Sequence, residues 1–201
     1  MRLHYYDDMK KATGYLEVIA GPMYCGKTEE LIRQVKRACI GKKHVQIFKQ
    51  KNDIRYGKGK KLYSHAGMTF DCEIIQQTKE ILKKTHSSTK IVAIDEAQWL
   101  GKELVDVVQE LLDRGKHVIV TGLAMTFDRQ PFVPIPTLMA IADKVTKLSS
   151  VCMICGSDAV YHKRITKGET VDPLVNDPSL VKTLKDSVYE ARCRKCFSKR
   201  P

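Results

Sequence analysis

The chain is 201 residues long, 43% hydrophobic and 29% charged, with 35 Lys and Arg against 23 Asp and Glu for a formal net charge of +12. That length and apolar share support a real core, in one medium domain or in a nucleotide-binding domain carrying a small satellite. They come with no low-complexity tract, no solenoid-length repeat and no run near the roughly 18 apolar residues of a membrane helix, while the positive surplus suits either a nucleic acid or a triphosphate.

In chain order, residues 1–13 are polar and read as a loose tail. The start MRLHYYDDMKKATGY has basic residues but no apolar stretch behind them, so no secretory leader is expected and the protein is expected in the cytoplasm. Residues 15–20 (YLEVIA) are a short apolar run ending at a glycine, as a buried strand does. Residues 28–39 read as a helix, with Leu31, Ile32, Val35 and Ala38 on one face and Gly41 at the exit. Residues 45–48 form a second strand candidate, and 52–68, rich in Gly, Lys and Tyr, a loop or flexible hairpin.

Residues 91–94 (IVAI) are too short for a helix and suit a strand buried on both faces. Leu104, Val107, Val108, Leu111 and Leu112 recur at helical spacing before Gly115; a strand at 118–120 and a loop at 122–136 follow. Strands alternating with helices imply an α/β fold with a parallel sheet. Composition changes near Ser149, so the expected division is a P-loop domain over 14–148 and a small C-terminal zinc-binding lobe over 149–201.

Gly21, Pro22, Met23, Tyr24, Cys25, Gly26, Lys27 and Thr28 match G-x-x-x-x-G-K-[ST] in full, with a strand before and a helix after. The glycines let the backbone curl so that successive N–H groups face phosphates, and the helix adds its positive dipole end. Lys27 offers a charge to the β and γ phosphates, and Thr28 a hydroxyl to Mg²⁺. Asp95 and Glu96 close the strand at 91–94. A carboxylate there is where a P-loop protein holds the Mg²⁺ shell, and Asp95 is the better candidate. Glu96, one residue on, can accept the proton of an attacking hydroxyl.

Cys152, Cys155, Cys193 and Cys196 form two C-x-x-C pairs. Four thiolates close a tetrahedral shell with no place left for water, which is the ligand set of a structural Zn²⁺. A redox pair is the competing reading. Cys39, on the first helix, and Cys72, near a strand, read as buried thiols.

These motifs stand in an order that carries a resemblance. G-P-M-Y-C-G-K-T is followed by D-I-R-Y from Asp53, S-H-A-G from Ser64, D-E-A-Q from Asp95, Pro131-Phe132 and the cysteine quartet, over residues 14–197. The chain resembles the cytosolic, zinc-containing (type II) thymidine kinase family. The resemblance implies transfer of the γ-phosphate of ATP to the 5′-hydroxyl of thymidine, in deoxynucleoside salvage for DNA synthesis. It implies Glu96 as general base, with Asp95, Ala97 and Gln98 of the same box beside the nucleotide, Asp95 and Gln98 supporting Mg²⁺ and phosphates, and Arg55 near the transferred group. Met23, Trp99, Leu123, Phe127 and Phe132 would wall the thymine pocket, and Tyr189 would contact the nucleoside from the zinc lobe. The segment between the cysteine pairs would close over the base, and the assembly would be a homotetramer, with no membrane or nucleic-acid partner.

Three positions depart from the family pattern: residues 175–189 lack glycine, Ala124 stands where an aspartate is common, and Cys25 replaces the usual serine. Two other functions fit parts of the sequence. D-E-A-Q looks like a helicase box, which suits a nucleic-acid-dependent ATPase, although a motor needs a second lobe; a non-catalytic nucleotide-binding relative is the third reading.

Overall fold

The computed structural model describes residues 13–50, 61–63, 69–166, 169–170 and 187–198. Its centre is a six-stranded parallel sheet built from β1 (Tyr15–Ala20), β2 (Val45–Gln50), β5 (Glu73–Ile75), β6 (Ile91–Asp95), β7 (His117–Gly122) and β8 (Lys144–Lys147). Their order across the sheet is β5-β2-β6-β7-β1-β8, every neighbouring pair parallel.

The central strands carry apolar residues on both faces because helices cover both. Ile19, Ala93 and Ile119 pack with Leu31, Ile32 and Val35 of helix α1 (Lys27–Ile40). The alternate residues, Val18, Ile94 and Val120, point the other way. They meet Ile81 of α2 (Glu80–Lys84), Leu104, Val108 and Leu111 of α3 (Leu104–Asp113), and Ile135 and Leu138 of α4 (Ile135–Ile141). The expected α/β architecture is therefore present, and α1 runs one residue further at each end than the periodicity indicates.

Several elements are absent from the sequence reading. Helix α4 is only seven residues with a proline in its first turn, too short for a period to show. Strand β8, KVTK, lies at the sheet edge with its side chains mostly exposed, so it carries no apolar run. The three-residue β5 and five-residue α2 are shorter than any pattern window. In the region read as a loop or hairpin, 52–68, β3 (Lys61–Tyr63) pairs antiparallel with β4 (Thr69–Asp71), which begins just past it, and residues 51–60 and 64–68 lie outside the described residues.

Beyond β8 come two small antiparallel units. Strand β9 (Ser150–Val151) pairs with β10 (Asp158–Ala159), and β11 (Tyr161–Thr166) lies between β12 (Glu169–Thr170) and β13 (Ser187–Arg192). The first unit is tied to the second by the Met153 N–H donating to the Ala191 carbonyl at 3.0 Å. Among the described residues the buried apolar cluster here consists of Ala159, Ala191 and three cysteines.

Because the sheet is parallel, the ends of β1, β6 and β7 emerge on one edge, where ligands of open α/β sheets bind. One strand, β7, separates β1 from β6. At about 4.8 Å per strand, the loops after β1 and β6 face each other across roughly 10 Å.

Candidate functional site

The loop after β1 has a backbone shape that suits an anion. Tyr24 and Gly26 both take left-handed backbone conformations, φ 64° and 81°, and Gly26 caps α1. Such alternation turns successive N–H groups toward one point. Gly21 is held where no side chain fits: a Cβ there would stand 2.5 Å from Cys25 Sγ and 2.7 Å from the Leu148 carbonyl oxygen. Lys27 is buried in the loop, its Nζ donating to the Pro22 carbonyl at 2.7 Å and approaching Cys25 Sγ at 3.7 Å. Burial pushes the Cys25 thiol up against the opposing pull of that ammonium.

Across the gap, the Thr28 hydroxyl donates to Asp95 Oδ2 at 3.4 Å. The other carboxylate oxygen, Oδ1, accepts a bond from the Thr121 hydroxyl of β7. Asp95 is 3% exposed, and the register sets it one residue beyond the Ile94–Val120 pair. Thr28, Asp95 and Thr121 thus converge from three elements. Nothing in the sequence singles out Thr121, since a threonine in a β-rich run looks like an ordinary strand residue.

Glu96 follows directly, with φ 51° and ψ 40°, at the head of the short 3-10 turn Ala97–Leu100. Gln98 on that turn donates from Nε2 to Glu96 Oε2, while its Oε1 accepts the Leu123 N–H at 3.1 Å. Ala97 is fully buried beneath them.

The expected wall residues divide. Trp99 and Phe132 pack edge to face at 5.4 Å between ring centres, both half-buried. Leu123 is buried at the end of β7, and Met23 is half-buried in the P-loop. Residues 124–132 form a compact turn, closed by Phe132 N–H to the Ala124 carbonyl and Thr126 N–H to the Gln130 carbonyl. That turn carries Phe127 under the Arg164 guanidinium, 5.6 Å from the ring centre, and sets Arg129 over Phe197 at 4.8 Å. Tyr189 lies on β13 beside His162, ring centres 6.0 Å apart. His162 itself is 4% exposed and lines a small recess with Gly21, Pro22, Ala124 and Lys147. Burial, aided by the nearby Lys27 charge, lowers its pKa to about 4. Arg55 and the segment 171–186 lie outside the described residues.

The four cysteines of the two C-x-x-C pairs gather in space, all Sγ atoms within 4.8 Å of one another and Cys155 3.6 Å from Cys193. A tetrahedral zinc with Zn–S near 2.3 Å places its sulfurs about 3.8 Å apart. The Cys196 N–H donates to Cys193 Sγ at 3.3 Å, as a thiolate in a knuckle requires. At Cys152 burial opposes ionisation, but backbone donors at Cys193, Ile154 and Cys155 outweigh it and hold the thiol at about 6. Cys196 is pushed up to about 12 by burial and by the neighbouring thiols of Cys155 and Cys193. Four sulfurs so placed fit zinc, which displaces protons from them on binding. Arg192, fully buried behind the site, pairs with Glu190 and donates to the Cys196 carbonyl at 3.3 Å. Of the other thiols, Cys72 is buried as expected. Cys39 is not: although its spacing from Ile32 and Val35 sets it on their face of α1, it is exposed because it lies in the last turn, where Arg37, Ile40 and Gly41 are exposed as well.

No helix among the described residues is long and apolar enough to cross a membrane. The model of the thymidine kinase family matches residues 14–197. The chain belongs to the thymidine kinase family, and the cysteine cluster fits the zinc-containing type. It is accordingly a phosphotransferase acting on a nucleoside, and nothing favours the ATPase and non-catalytic readings.

Proposed function

We propose that this thymidine kinase transfers the γ-phosphate of ATP to the 5′-hydroxyl of thymidine with Glu96 as general base. The observation that carries the proposal is the meeting of Thr28 and Asp95 at 3.4 Å, with Glu96 the next residue along. A phosphate donor seated in the P-loop therefore has its terminal group beside an acidic strand end.

In this reading the backbone N–H groups of the P-loop, from Gly21 to Gly26, hold the phosphates, and Lys27 exchanges its Pro22 carbonyl contact for the β and γ oxygens. Thr28 and Asp95 are the oxygen donors that would hold Mg²⁺, a hard cation that would neutralise charge moving onto the leaving ADP. Glu96 takes the proton of the 5′-hydroxyl as its oxygen bonds to the γ-phosphorus. The bond from that phosphorus to the β–γ bridging oxygen breaks, leaving ADP, thymidine 5′-phosphate and a proton. Little covalent work falls to the protein beyond position and charge.

The nucleoside's base is read as lying among Met23, Trp99, Leu123, Phe127, Phe132 and Tyr189, with Arg55 beside the transferred group. Zinc on Cys152, Cys155, Cys193 and Cys196 would give the C-terminal lobe the rigidity its small apolar cluster does not. A cytoplasmic homotetramer serving deoxynucleoside salvage is the biological setting this reading supports. The deciding experiment supplies ATP, Mg²⁺ and a panel of nucleosides and identifies products by mass. A thymidine-dependent monophosphate is expected; ATP turnover without any nucleoside monophosphate would overturn the assignment.

A further inference from the structure

Gln98 is 3% exposed, and both ends of its amide are engaged. Leu123 presents an N–H, which can only donate, and Glu96 presents a carboxylate, which when ionised can only accept. The amide therefore has one orientation that makes both bonds, and turning it over loses both. Its two partners sit on different elements, the turn after β6 and the end of β7. The amide spans them like a strut.

Room for the strut is made by Gly122. A Cβ at that position would lie 2.9 Å from Gln98 Oε1, and 2.5 Å from Ile135 Cδ1. Glu96, meanwhile, has a left-handed backbone, a conformation that is unfavourable for a non-glycine residue and persists where neighbours enforce it. A side chain launched from such a backbone points where an ordinary helical start would not send it, and it needs an anchor at its far end.

We propose that Gln98 is a positioning residue that fixes the Glu96 carboxylate to the rigid end of β7, acting through Glu96 and not through the nucleotide phosphates. The inference rests on the reading of Glu96 as base. The Gln98 N–H helps keep the carboxylate in a defined place, and misplacement of about 1 Å in such a group costs about 100-fold in rate.

The test is a double-mutant cycle. Gln98→Glu preserves size and the acceptor for Leu123 but removes the donor to Glu96; Gln98→Met removes both bonds and is the second probe should the first fold poorly. Each is expected to lower kcat about 10- to 100-fold while KM for ATP and for thymidine stays within about threefold, because an interaction needed only at the transition state is lost. Gly122→Ala, which crowds the strut, should show a smaller fall of the same kind. In a Glu96→Gln background Gln98→Glu should cost less than about twofold more, since coupled residues are non-additive. Additive losses, or a raised KM for ATP at unchanged kcat, would assign Gln98 to the nucleotide and overturn the proposal, as would unchanged kinetics in all three variants. Full turnover in Glu96→Gln alone would instead remove the base, so the two failures are told apart.

Discussion

Thr28 and Asp95, 67 residues apart in the chain, meet through a hydroxyl–carboxylate bond of 3.4 Å. One comes from the first turn of α1 and the other from the last residue of β6, and Thr121 of the intervening strand holds the opposite carboxylate oxygen. Bond and register together set the spacing between the phosphate cradle and the acidic strand end.

Replacing Thr28 by Ala should therefore act mainly on the metal requirement. Turnover should fall about 10- to 1000-fold, and the Mg²⁺ concentration for half-maximal rate should rise, because one oxygen donor is lost while the fold is untouched. Magnesium titrations of the rate check this; an unchanged Mg²⁺ midpoint would count against a metal between Thr28 and Asp95.

Glu96→Gln should keep ATP affinity within about threefold and lose about 100- to 10,000-fold in kcat, the range for removing a general base. Equilibrium ATP titration beside single-turnover kinetics separates the two effects.

Zinc should be found at one ion per chain. Stripping it with a strong chelator should raise amide exchange across residues 150–166 and 187–198 and leave β6 and β7 protected, because three of the five members of the buried cluster described there are cysteines of the metal set whereas the sheet has its own core. Metal analysis with hydrogen exchange gives the answer, and a native protein free of metal would refute the assignment.

His162 makes stability depend on pH in a defined direction. Burial, with Lys27 nearby, lowers its pKa from 6.5 to about 4, so between those values the unfolded chain binds the proton and the folded one does not. Stability is therefore full above pH 6.5 and is lost as the pH falls toward 4, by about 2 kcal/mol at pH 5. In urea unfolding at pH 7 and pH 5, His162→Leu should show a pH difference smaller by that amount. Equal pH differences in the two proteins would show that His162 is not held neutral.

Thiol labelling should separate the cysteines. Cys39 is exposed and should react first with iodoacetamide, without loss of activity. Cys25, whose thiol is raised by burial, should react slowly at neutral pH and only with inactivation. Peptide mass mapping against residual activity distinguishes them.

The local signals reach far in this chain. The P-loop is contiguous, so Gly21, Gly26, Lys27 and Thr28 are legible as a phosphate-site pattern in the sequence itself, and the paired C-x-x-C knuckles as a four-thiolate pattern. The apolar runs of β1, β6 and β7 likewise declare strands covered on both faces. Elements with weak patterns stayed hidden: the polar edge strand β8 and the seven-residue α4 make their contacts through neighbours distant in sequence. Cys39 reads as buried because its spacing from Ile32 and Val35 puts it on their face; only the structure shows that the last turn of α1 is left uncovered.

What the residues alone determine is therefore chemistry that lies within a short stretch: an anion cradle, an acidic strand end, a metal knuckle. Tertiary structure decided which of these meet. Strand order places β7 between β1 and β6, and only that order brings Thr121 to Asp95 and lets Gln98 reach from Glu96 to Leu123. Hydrogen bonds act over about 3 Å, and the chain brings distant residues within that range only when sheet register and helix packing have already fixed its path.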